Sequence, residues 1–446
     1  MIDFLVERFA GFGSDPALLF RDQVYSYEWL LHATREAGRS GGVGGIPDSS
    51  TVSLEADFSP QAIGLLLALI EKNCILVPIS QAAREEAPAY SAIAETEYRV
   101  GITEQGACTV EPCGREAKHP LLASLRRRQR PGLVLFSSGS TGAPKGALHD
   151  FSLLLEKFKT PRPKQTMLAF LLFDHIGGIN TLFSSLATGG LLVTTDDRSP
   201  DRICELIALH RIETLPTSPT FLNLLLLSEA HLRHDLSSLK TITYGTEMMP
   251  ESTLARLRAA FPNARLHQTY GLSEIGIMRT KSESSDSLWV KVGGEGFETR
   301  VRDGLLEVKA RSGMLGYLNA PSPFTEDGWF QTFDAVEVKG EYLRFLGRKS
   351  EIINVGGQKV FPSEVESVLE SMPEVAGAVV SGEKNALLGE IVKACVRTTA
   401  PMPLGEFRRR MREFCAPRLA SFKIPQAVEF LDRPEWSDRY KKVRKG

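Results

Sequence analysis

The chain has 446 residues, with 53 lysines and arginines against 54 aspartates and glutamates and a formal net charge of −1. Apolar residues make up 42% and charged residues 24%, an ordinary globular composition that excludes disordered, collagenous and coiled-coil chains. This length predicts two or more domains, and the balanced charge gives no electrostatic reason to bind nucleic acid or an anionic membrane, so we expect small-molecule partners.

Cysteine usage and the apolar segments predict a cytoplasmic protein. The six cysteines are scattered and have neither the paired spacing of a zinc site nor the density of a disulfide scaffold. The start of the chain lacks the basic region and long apolar core of a signal peptide. Because Glu71, Lys72 and Asn73 interrupt the apolar stretch 62–79, no membrane span is predicted.

Short apolar strands alternate with helices through much of the chain. Residues 60–73 predict an amphipathic helix that leads into a strand at 75–79. The pattern returns as a strand at 191–194, a helix at 202–209 and a strand at 212–215. This alternation predicts an α/β architecture with a largely parallel sheet.

The pattern changes after about residue 290, where short strands with glycine and aspartate between them predict hairpins. Beyond Arg348 the sequence predicts a compact unit with its own helices and strands, and we place a domain boundary at 349–350. The predicted elements of this unit are a helix at 363–371, strands at 375–380 and 391–396, and a helix at 404–414.

A loop of small hydroxylated and glycine residues directly follows an apolar strand within 133–149, LVLFSSGSTGAPKGALH. Such a loop can wrap a polyphosphate, because glycines allow close backbone approach, hydroxyl groups donate hydrogen bonds and Lys145 adds a positive charge. A polar surface turn is the alternative. A Walker loop needs Gly-Lys followed by Ser or Thr, whereas this chain has Pro144-Lys145-Gly146, so it is not a P-loop NTPase.

This loop resembles the signature of the AMP-forming acyl-CoA synthetase superfamily, which includes acyl-CoA ligases, peptide-synthetase adenylation domains and luciferases. The resemblance implies that the loop binds the phosphates of ATP. The residues concerned are Ser137, Ser138, Gly139, Ser140, Thr141, Gly142 and Lys145.

A second motif, 267–274 (HQTYGLSE), resembles the superfamily's adenine and magnesium segment. The resemblance implies that Tyr270 stacks on adenine, Ser273 contacts the α-phosphate and Glu274 binds Mg²⁺. It places three further residues at the nucleotide: Gln268, Thr269 and Gly271. From the residues alone, Tyr-Gly followed by Ser-Glu also fits a strand end and a helix cap.

Two further segments resemble nucleotide-binding parts of the superfamily. Gly245, Thr246 and Glu247 lie where a second adenine-binding wall is expected, and a plain turn after a strand at 239–244 is the alternative. The stretch 327–334 resembles one whose last residue binds the ribose hydroxyls, here Asp334. In that stretch Phe333 replaces the usual glycine, which leaves the local loop shape open.

Residues 347–362 resemble the superfamily's hinge between domains and the loop that follows it. The resemblance implies that Arg348 binds ribose or phosphate and that Gly356 and Gly357 line a tunnel for the thiol. Ser350 occupies the hinge position, which is usually Asp or Lys, and a serine can absorb a change in φ and ψ.

The superfamily's catalytic lysine lies near the C-terminus in a Gly-Lys-Val setting. Lys442 precedes Val443 and is the predicted residue, with Lys441 as the alternative. The glycine is missing and the tail is rich in cations, so a charged terminus without this role is a second interpretation.

The sequence gives the least information about the pocket for the acid substrate. Residues 173–180 (FDHIGGIN) resemble the segment at the pocket entrance, so His175 is the candidate gate on the carboxylate side, although a lone histidine is more often structural. The pair Gly177-Gly178 could make room for a bulky or aromatic acid. Residues 217–221 either line the same cavity or form a helix N-cap at Ser218 or Thr220.

The resemblance implies a large N-terminal domain, 1–348, of stacked α/β subdomains with a β-rich subdomain, and a small mobile α+β C-terminal domain, 349–446. It predicts a ligase that uses Mg²⁺ and ATP to convert a small carboxylic acid, by mild preference an aromatic one, into an acyl-adenylate and passes the acyl group to CoA. A carrier-protein phosphopantetheine thiol or a non-thiol acceptor is the alternative. The predicted catalytic residues are Lys442, Glu274, Thr141 and His175.

Overall fold

The computed structural model describes residues 2–39, 42–103, 106–138, 143–431, 436, 437, 440 and 442, with the side chain of residue 138 left out. None of the helices in these ranges has the length and apolar character needed to cross a membrane. The chain divides into two compact units. The first unit comprises Met1–Pro216, Gly271–Met278 and Lys309–Phe324, and the second comprises Thr217–Tyr270, Arg279–Val308 and Thr325–Gly446.

The helices, labelled α1 to α12 in chain order, are Asp3–Phe12, Tyr27–Arg39, Pro60–Glu71, Ala87–Ile93, Pro120–Arg127, Phe151–Leu155, Ile176–Ala187, Pro200–His210, Pro219–Leu227, Glu251–Ala260, Pro362–Leu369 and Leu404–Cys415. The strands, labelled β1 to β27 in chain order, are Pro16–Phe20, Gln23–Ser26, Thr51–Glu55, Ile75–Ile79, Tyr98–Ile102, Cys108–Pro112, Gly132–Ser138, Pro144–Asp150, Thr166–Leu168, Leu191–Val193, Thr214–Thr217, Thr241–Tyr244, Arg265–Gln268, Gly271–Leu272, Gly276–Ile277, Arg279–Ser282, Val290–Gly293, Phe297–Arg302, Leu305–Ala310, Gly316–Tyr317, Phe330–Lys339, Tyr342–Arg348, Ile353–Val355, Gln358–Val360, Val375–Asn385, Gly389–Thr398 and Ala427–Phe430.

The first unit is built on two sheets. In one, the strand order is β20-β8-β7-β4-β3-β5-β6, with β7, β4, β3 and β5 parallel and the outer strands antiparallel. In the other, β11, β9, β10 and β1 are parallel and β2 closes the edge as an antiparallel strand. The predicted α/β architecture with largely parallel sheets is confirmed.

Helix α3 lies between two of these parallel strands, β3 and β4, and leads into β4 as the sequence predicts. Ser59 caps it by accepting a hydrogen bond from the Ala62 amide, and Pro60 occupies its first turn. Every residue from Ala62 to Ile70 is buried, so the helix lies inside the core. The prediction that it is amphipathic is wrong. This full burial accounts for its near-continuous apolar sequence.

One strand of the first unit begins two residues later than predicted. The helix α8 ends with Arg211 in a left-handed conformation, at φ 51°, and the Ile212 amide donates to the carbonyl of Ile207 at 3.2 Å. This helix-ending turn buries Ile212, so β11 starts at Thr214. The predicted strand at 212–215 thus contains the end of a helix-ending turn as well as the start of β11.

The second unit contains the predicted β-rich part and the predicted C-terminal part. Its six-stranded sheet has the order β16-β17-β22-β21-β19-β18 and includes antiparallel hairpins such as β21-β22. After Arg348, strands β23 to β27 form a separate sheet. Helices α11 and α12 pack on it through buried residues that include Val365, Leu369 and Phe407. The helices and strands predicted after residue 360 are confirmed, whereas the domain boundary and its mobility stay predictions.

Candidate functional site

Strands β7 and β8 of the first unit flank the hydroxyl-rich loop. They form an antiparallel hairpin in which Ser138 opposite Pro144 is the last pair before the loop. The predicted phosphate-binding residues Gly139, Ser140, Thr141 and Gly142, and the side chain of Ser138, lie outside the described residues. Ser137 and Lys145 face each other across the base of this hairpin.

Glu274 lies beside the base of the loop. Its side chain is 9% exposed. One carboxylate oxygen, Oε1, accepts a hydrogen bond from the Tyr317 hydroxyl at 2.7 Å and another from Ser137 Oγ at 3.4 Å. These two hydrogen bonds fix the orientation of the carboxylate next to the predicted phosphate loop. The structure therefore brings together two residues that lie 137 positions apart.

Tyr317, which the sequence analysis missed, reaches this carboxylate through the short strand β20. Gly316 and Tyr317 pair antiparallel with Leu148 and Ala147 of β8. The Lys145 ammonium lies 5.6 Å from the centroid of the Tyr317 ring, a cation–π distance. A lone Gly-Tyr pair carries little information in a sequence. Tyr317 could therefore be recognised as part of the site only from the pairing of β20 with β8.

Asn319 and His149, also missed, fix the same region. Asn319 accepts from the Gly146 amide at 3.1 Å and donates to the Pro144 carbonyl at 2.8 Å, which holds the strand that leaves the loop. The buried His149 ring lies 2.5 Å from the Ser273 carbonyl and 3.3 Å from the Ser312 carbonyl. Burial lowers the pKa of His149, and the hydrogen bonds to the Ser273 and Ser312 carbonyls act in the opposite direction.

His175, the predicted gate, begins helix α7. Its Nδ1 accepts a hydrogen bond from the Gly177 amide at 3.0 Å, which makes it the N-cap of that helix. The neighbouring Asp174 is buried and accepts from the Ser80 hydroxyl at 2.8 Å. A structural role for His175 is therefore present in the fold, and its role as a gate stays a prediction.

The two glycines that follow His175 lie against atoms rather than open space. A Cβ atom at Gly178 would be 1.9 Å from the Leu172 carbonyl oxygen, and one at Gly177 would be 2.5 Å from a Leu171 methyl carbon. The suggestion that this pair makes room for a bulky acid does not fit these distances. Gly178 instead allows helix α7 to approach the preceding turn closely.

In the second unit, Tyr270 and Asp334 form the centre of the predicted adenosine-binding group. The Tyr270 hydroxyl donates to Asp334 Oδ2 at 2.7 Å, and Arg348 Nε lies 3.5 Å from Asp334 Oδ1. The Tyr270 ring stacks on Phe345, with 4.5 Å between centroids and 24° between planes. Burial and then the charge of Asp334 raise the pKa of Tyr270 well above its usual value, so the phenol stays protonated and keeps donating.

Phe333, at the position where the superfamily usually has glycine, has a backbone conformation that favours glycine. Its φ is 59°, in the left-handed region that favours glycine, and its side chain is 47% exposed. The next amide, of Asp334, donates to Thr332 Oγ1 at 3.1 Å. The turn that presents Asp334 therefore forms without glycine, which settles the shape of this loop.

The predicted adenine wall follows strand β12. A Cβ atom at Gly245 would be 2.5 Å from Thr269 Oγ1, so this glycine allows the two segments to approach closely. Thr246 has a φ of 71° and turns the chain. The Glu247 carboxylate accepts from the Thr220 hydroxyl at 2.6 Å and from the main-chain amide of Lys442. Ser218 caps helix α9 by accepting from the Phe221 amide, which confirms the N-cap interpretation.

Gln268, another residue of the adenine segment, is buried at the end of strand β13. Its main-chain amide donates to Ser282 Oγ at 2.9 Å. The residue is thus anchored through its backbone to the neighbouring strand β16.

Gly356 and Gly357, predicted to line a thiol tunnel, form the two-residue turn between β23 and β24. Their φ values are 56° and 86°, and Val355 pairs with Gln358 on either side. Two positive φ values in succession are typical of a type I′ hairpin turn, which requires glycine-like residues. The hinge residue Ser350 lies in a short 3₁₀ turn, Lys349–Glu351.

Lys442 is described, whereas the alternative Lys441 lies outside the described residues. The Lys442 ammonium donates to Glu370 Oε1 at 2.6 Å, to the Ala378 carbonyl at 3.1 Å and to Glu366 Oε2 at 3.4 Å. In this structure the predicted catalytic lysine is thus held by acceptors in helix α11, at its C-cap and in strand β25.

His267, on the strand that leads to Tyr270, gives a testable pH dependence. Burial, with a smaller contribution from Arg265, lowers the pKa of His267 to about 4 from an unfolded value of 6.5. As the pH falls through this window the unfolded chain binds the proton first, so stability is present above pH 6.5 and is lost towards pH 4. We expect His267→Gln to make the urea midpoint less dependent on pH there.

The exposed His32 provides the control. His32→Gln is expected to leave the pH profile of the urea midpoint unchanged. Parallel profiles for wild type and His267→Gln would contradict the prediction.

Two family models match the sequence: the AMP-binding enzyme model over residues 5–303, and the AMP-binding enzyme C-terminal domain model over 364–435. The chain is 29% identical over 333 residues to indoleacetate–CoA ligase of Aromatoleum aromaticum, which covers 68% of this chain and 64% of that protein. It is 28% identical over 326 residues to 2-succinylbenzoate–CoA ligase of Bacillus licheniformis, covering 67% of this chain and 66% of that protein. The chain thus spans slightly less than two thirds of these relatives.

Solved structures share the fold. The o-succinylbenzoate CoA synthetase MenE from Bacillus subtilis, in complex with an acyl-adenylate, superposes with a TM-score of 0.77 at 21% identity, over 99% of this chain and 98% of that one. The anthranilate CoA ligase AuaEII, in complex with anthranoyl-AMP, has a TM-score of 0.80 at 18% identity, over 99% of this chain and 95% of that one. Since one family model alone matches residues 5–303, more than half of the sequence, the protein belongs to the AMP-binding enzyme family.

Proposed function

We propose that the protein activates a small carboxylic acid with ATP and Mg²⁺ and transfers the acyl group to CoA. The observation that carries the proposal is the oriented Glu274 carboxylate, which Tyr317 and Ser137 hold at the base of the hydroxyl-rich loop. The names of the relatives support CoA as the acceptor over a carrier protein. They also support an aromatic acid, since indoleacetate and 2-succinylbenzoate both contain a ring.

The residues present fit a magnesium ion. Mg²⁺ is a hard cation that is usually held through one or two carboxylates together with substrate phosphates and water. Glu274 supplies such a carboxylate next to the predicted phosphate loop, and hydrogen bonds from two hydroxyl groups fix its orientation. When bound, the ion would neutralise phosphate charge during nucleotide displacement.

The proposed reaction has two steps that need no side-chain nucleophile. An oxygen of the acid forms a bond to the α-phosphorus of ATP, and the bond to the β-phosphate breaks with its electron pair leaving on pyrophosphate. The CoA sulfur then forms a bond to the acyl carbon, AMP leaves, and the thiol proton passes to water. The protein positions the reactants and stabilises charge.

The proposed roles follow from the groups described above. Tyr270 and Asp334 would hold adenine and ribose, with Arg348 contributing a positive charge beside Asp334. Lys145 and the hydroxyl-rich loop would bind the phosphates. Lys442 would contact the acid and the α-phosphate, although here its ammonium is bound to Glu370. These assignments, and the rotation of residues 349–446 about Ser350, are part of the proposal.

The test is acid-dependent ATP–pyrophosphate exchange across a panel of aliphatic and aromatic acids, followed by addition of CoA and detection of the thioester by mass. We expect exchange with at least one aromatic acid and a thioester product. Lys442→Ala is expected to lower exchange by roughly 100-fold or more, because a cation aimed at the developing charge is lost. Lys441→Ala is the matched control and should retain exchange. No exchange with any acid, together with no binding of ATP by calorimetry, would overturn the proposal.

A further inference from the structure

Two buried glutamates hold the ammonium of Lys442. Glu366 lies on helix α11 and Glu370, four residues later, is the residue that directly follows the helix; their side chains are 3% and 4% exposed. The Lys442 side chain is 13% exposed. With the Ala378 carbonyl at 3.1 Å, the group presents three acceptors to the three N–H donors of one ammonium. We call Glu366, Glu370 and the Ala378 carbonyl the lysine cradle.

The charges of the cradle require a cation. Two buried carboxylates so close together repel each other, and burial raises the pKa of Glu370 while the charge of Lys442 lowers it. Glu366 is also fixed by the Val380 amide, which donates to it at 3.0 Å. Because a buried charge is costly without a partner, the cradle binds the ammonium firmly and its vacancy is unfavourable.

The backbone that carries Lys442 is anchored separately. The Lys442 amide donates to Glu247, and the Ser218 hydroxyl donates to the Tyr440 carbonyl at 2.8 Å. The Tyr440 ring also meets Phe221 edge to face, with 5.4 Å between centroids. These bonds do not involve the Lys442 ammonium, so the flexible side chain can turn while the segment stays attached. A small cavity lined by Thr220, Trp436 and Lys442 adjoins the cradle.

We propose that the lysine cradle is a resting site which competes with the substrate phosphate and carboxylate for the Lys442 ammonium. This inference rests on the proposed role of Lys442 in adenylation. The cradle occupies all three N–H donors of the ammonium, so a contact with the α-phosphate replaces at least one cradle bond in every adenylation step. The adenylation rate is then proportional to the fraction of protein molecules in which the Lys442 ammonium is released from the cradle.

Glu370→Gln tests the competition, because it keeps the shape of the side chain and removes its charge. Weakening one charge-assisted bond is expected to raise the rate of ATP–pyrophosphate exchange by roughly 3- to 10-fold. Formation of thioester from pre-formed acyl-adenylate and CoA does not need the lysine at the α-phosphate, so its rate should stay unchanged. A merely structural glutamate would not separate the two half-reactions in this way.

Glu374→Gln is the matched control, since Glu374 forms an ion pair with Arg410 at 3.0 Å outside the cradle, and its exchange rate should equal that of wild type. Glu370→Asp is the second variant. Because aspartate keeps the negative charge, this variant is expected to fold. Its shorter side chain withdraws the carboxylate from the ammonium, so the exchange rate should again rise. Unchanged or lower exchange in folded Glu370→Gln and Glu370→Asp would overturn the proposal.

A readout independent of activity distinguishes failure of the cradle from failure of the proposed function. Acetic anhydride modifies accessible lysines, and mass spectrometry reports the extent at Lys442. We expect slow modification in wild type and at least a severalfold faster one in Glu370→Gln. Equal rates in the two proteins would overturn the cradle, whereas absence of exchange in wild type with any acid would count only against the proposed function.

Discussion

Replacement of Glu274 by glutamine is expected to lower ATP–pyrophosphate exchange by roughly 100- to 1,000-fold, the range found when one group that stabilises transition-state charge is removed. Glutamine can still accept the hydrogen bond from Tyr317, so the local packing is retained. It cannot supply the negative charge that would hold Mg²⁺. The measurement is the initial exchange rate as a function of Mg²⁺ concentration, and the variant should need more Mg²⁺ for half-maximal rate.

Tyr317→Phe separates the charge of Glu274 from its orientation. The variant removes the 2.7 Å hydrogen bond but leaves the carboxylate, and a hydrogen bond to a charged group contributes about 1.5 to 3 kcal/mol. Its effect on exchange should be roughly tenfold, smaller than that of Glu274→Gln. Equal exchange in wild type and Glu274→Gln, with both proteins folded, would contradict a metal-binding role for this carboxylate.

The sequence predicted this site through short, contiguous motifs. The loop after β7 and the segment around Tyr270 each combine several residue types in a fixed order, and each directly follows a strand. A loop that combines glycines with several hydroxyl groups is well suited to bind an anion, so the chemistry could be inferred before any contact was known. The parallel strands were likewise predicted from apolar runs of the right length.

The residues that complete the site depend on pairing over long distances in the chain. Tyr317 reaches Glu274 because β20 adds to the edge of β8, and two strand residues give no periodic signal. His149 was overlooked because its carbonyl partners, Ser273 and Ser312, follow it by 124 and 163 positions. Such contacts are set by sheet register, which a single sequence does not specify.

The direction of a long flexible side chain is also beyond sequence analysis. The motif predicts that Lys442 follows the superfamily pattern, but not where its ammonium rests. Glu366 and Glu370 are four residues apart, a spacing that predicts neighbouring side chains on one helix face. It does not predict that Lys442 lies between them. The cradle becomes visible once strand β25 and the C-terminal segment are in place.

Replacement of Gly178 by alanine is expected to destabilise the first unit by about 3 kcal/mol, the upper part of the usual range for overpacking. The new Cβ atom would lie 1.9 Å from the Leu172 carbonyl oxygen and 2.8 Å from that of Leu171. Both are backbone atoms, so no side-chain rotation relieves the contact. The thermal midpoint, followed by circular dichroism, should fall by roughly 10 °C.

Gly11→Ala is the matched control, because Gly11 also lies in a helix of the first unit, is exposed and has no atom within 4 Å of an added Cβ. This change should stabilise the helix by up to about 1 kcal/mol.

The acid panel then separates two reasons for glycine at 178. If it serves close packing, Gly178→Ala lowers exchange with small and bulky acids alike. A selective loss with bulky acids at an unchanged thermal midpoint would show that the glycine makes room for the substrate.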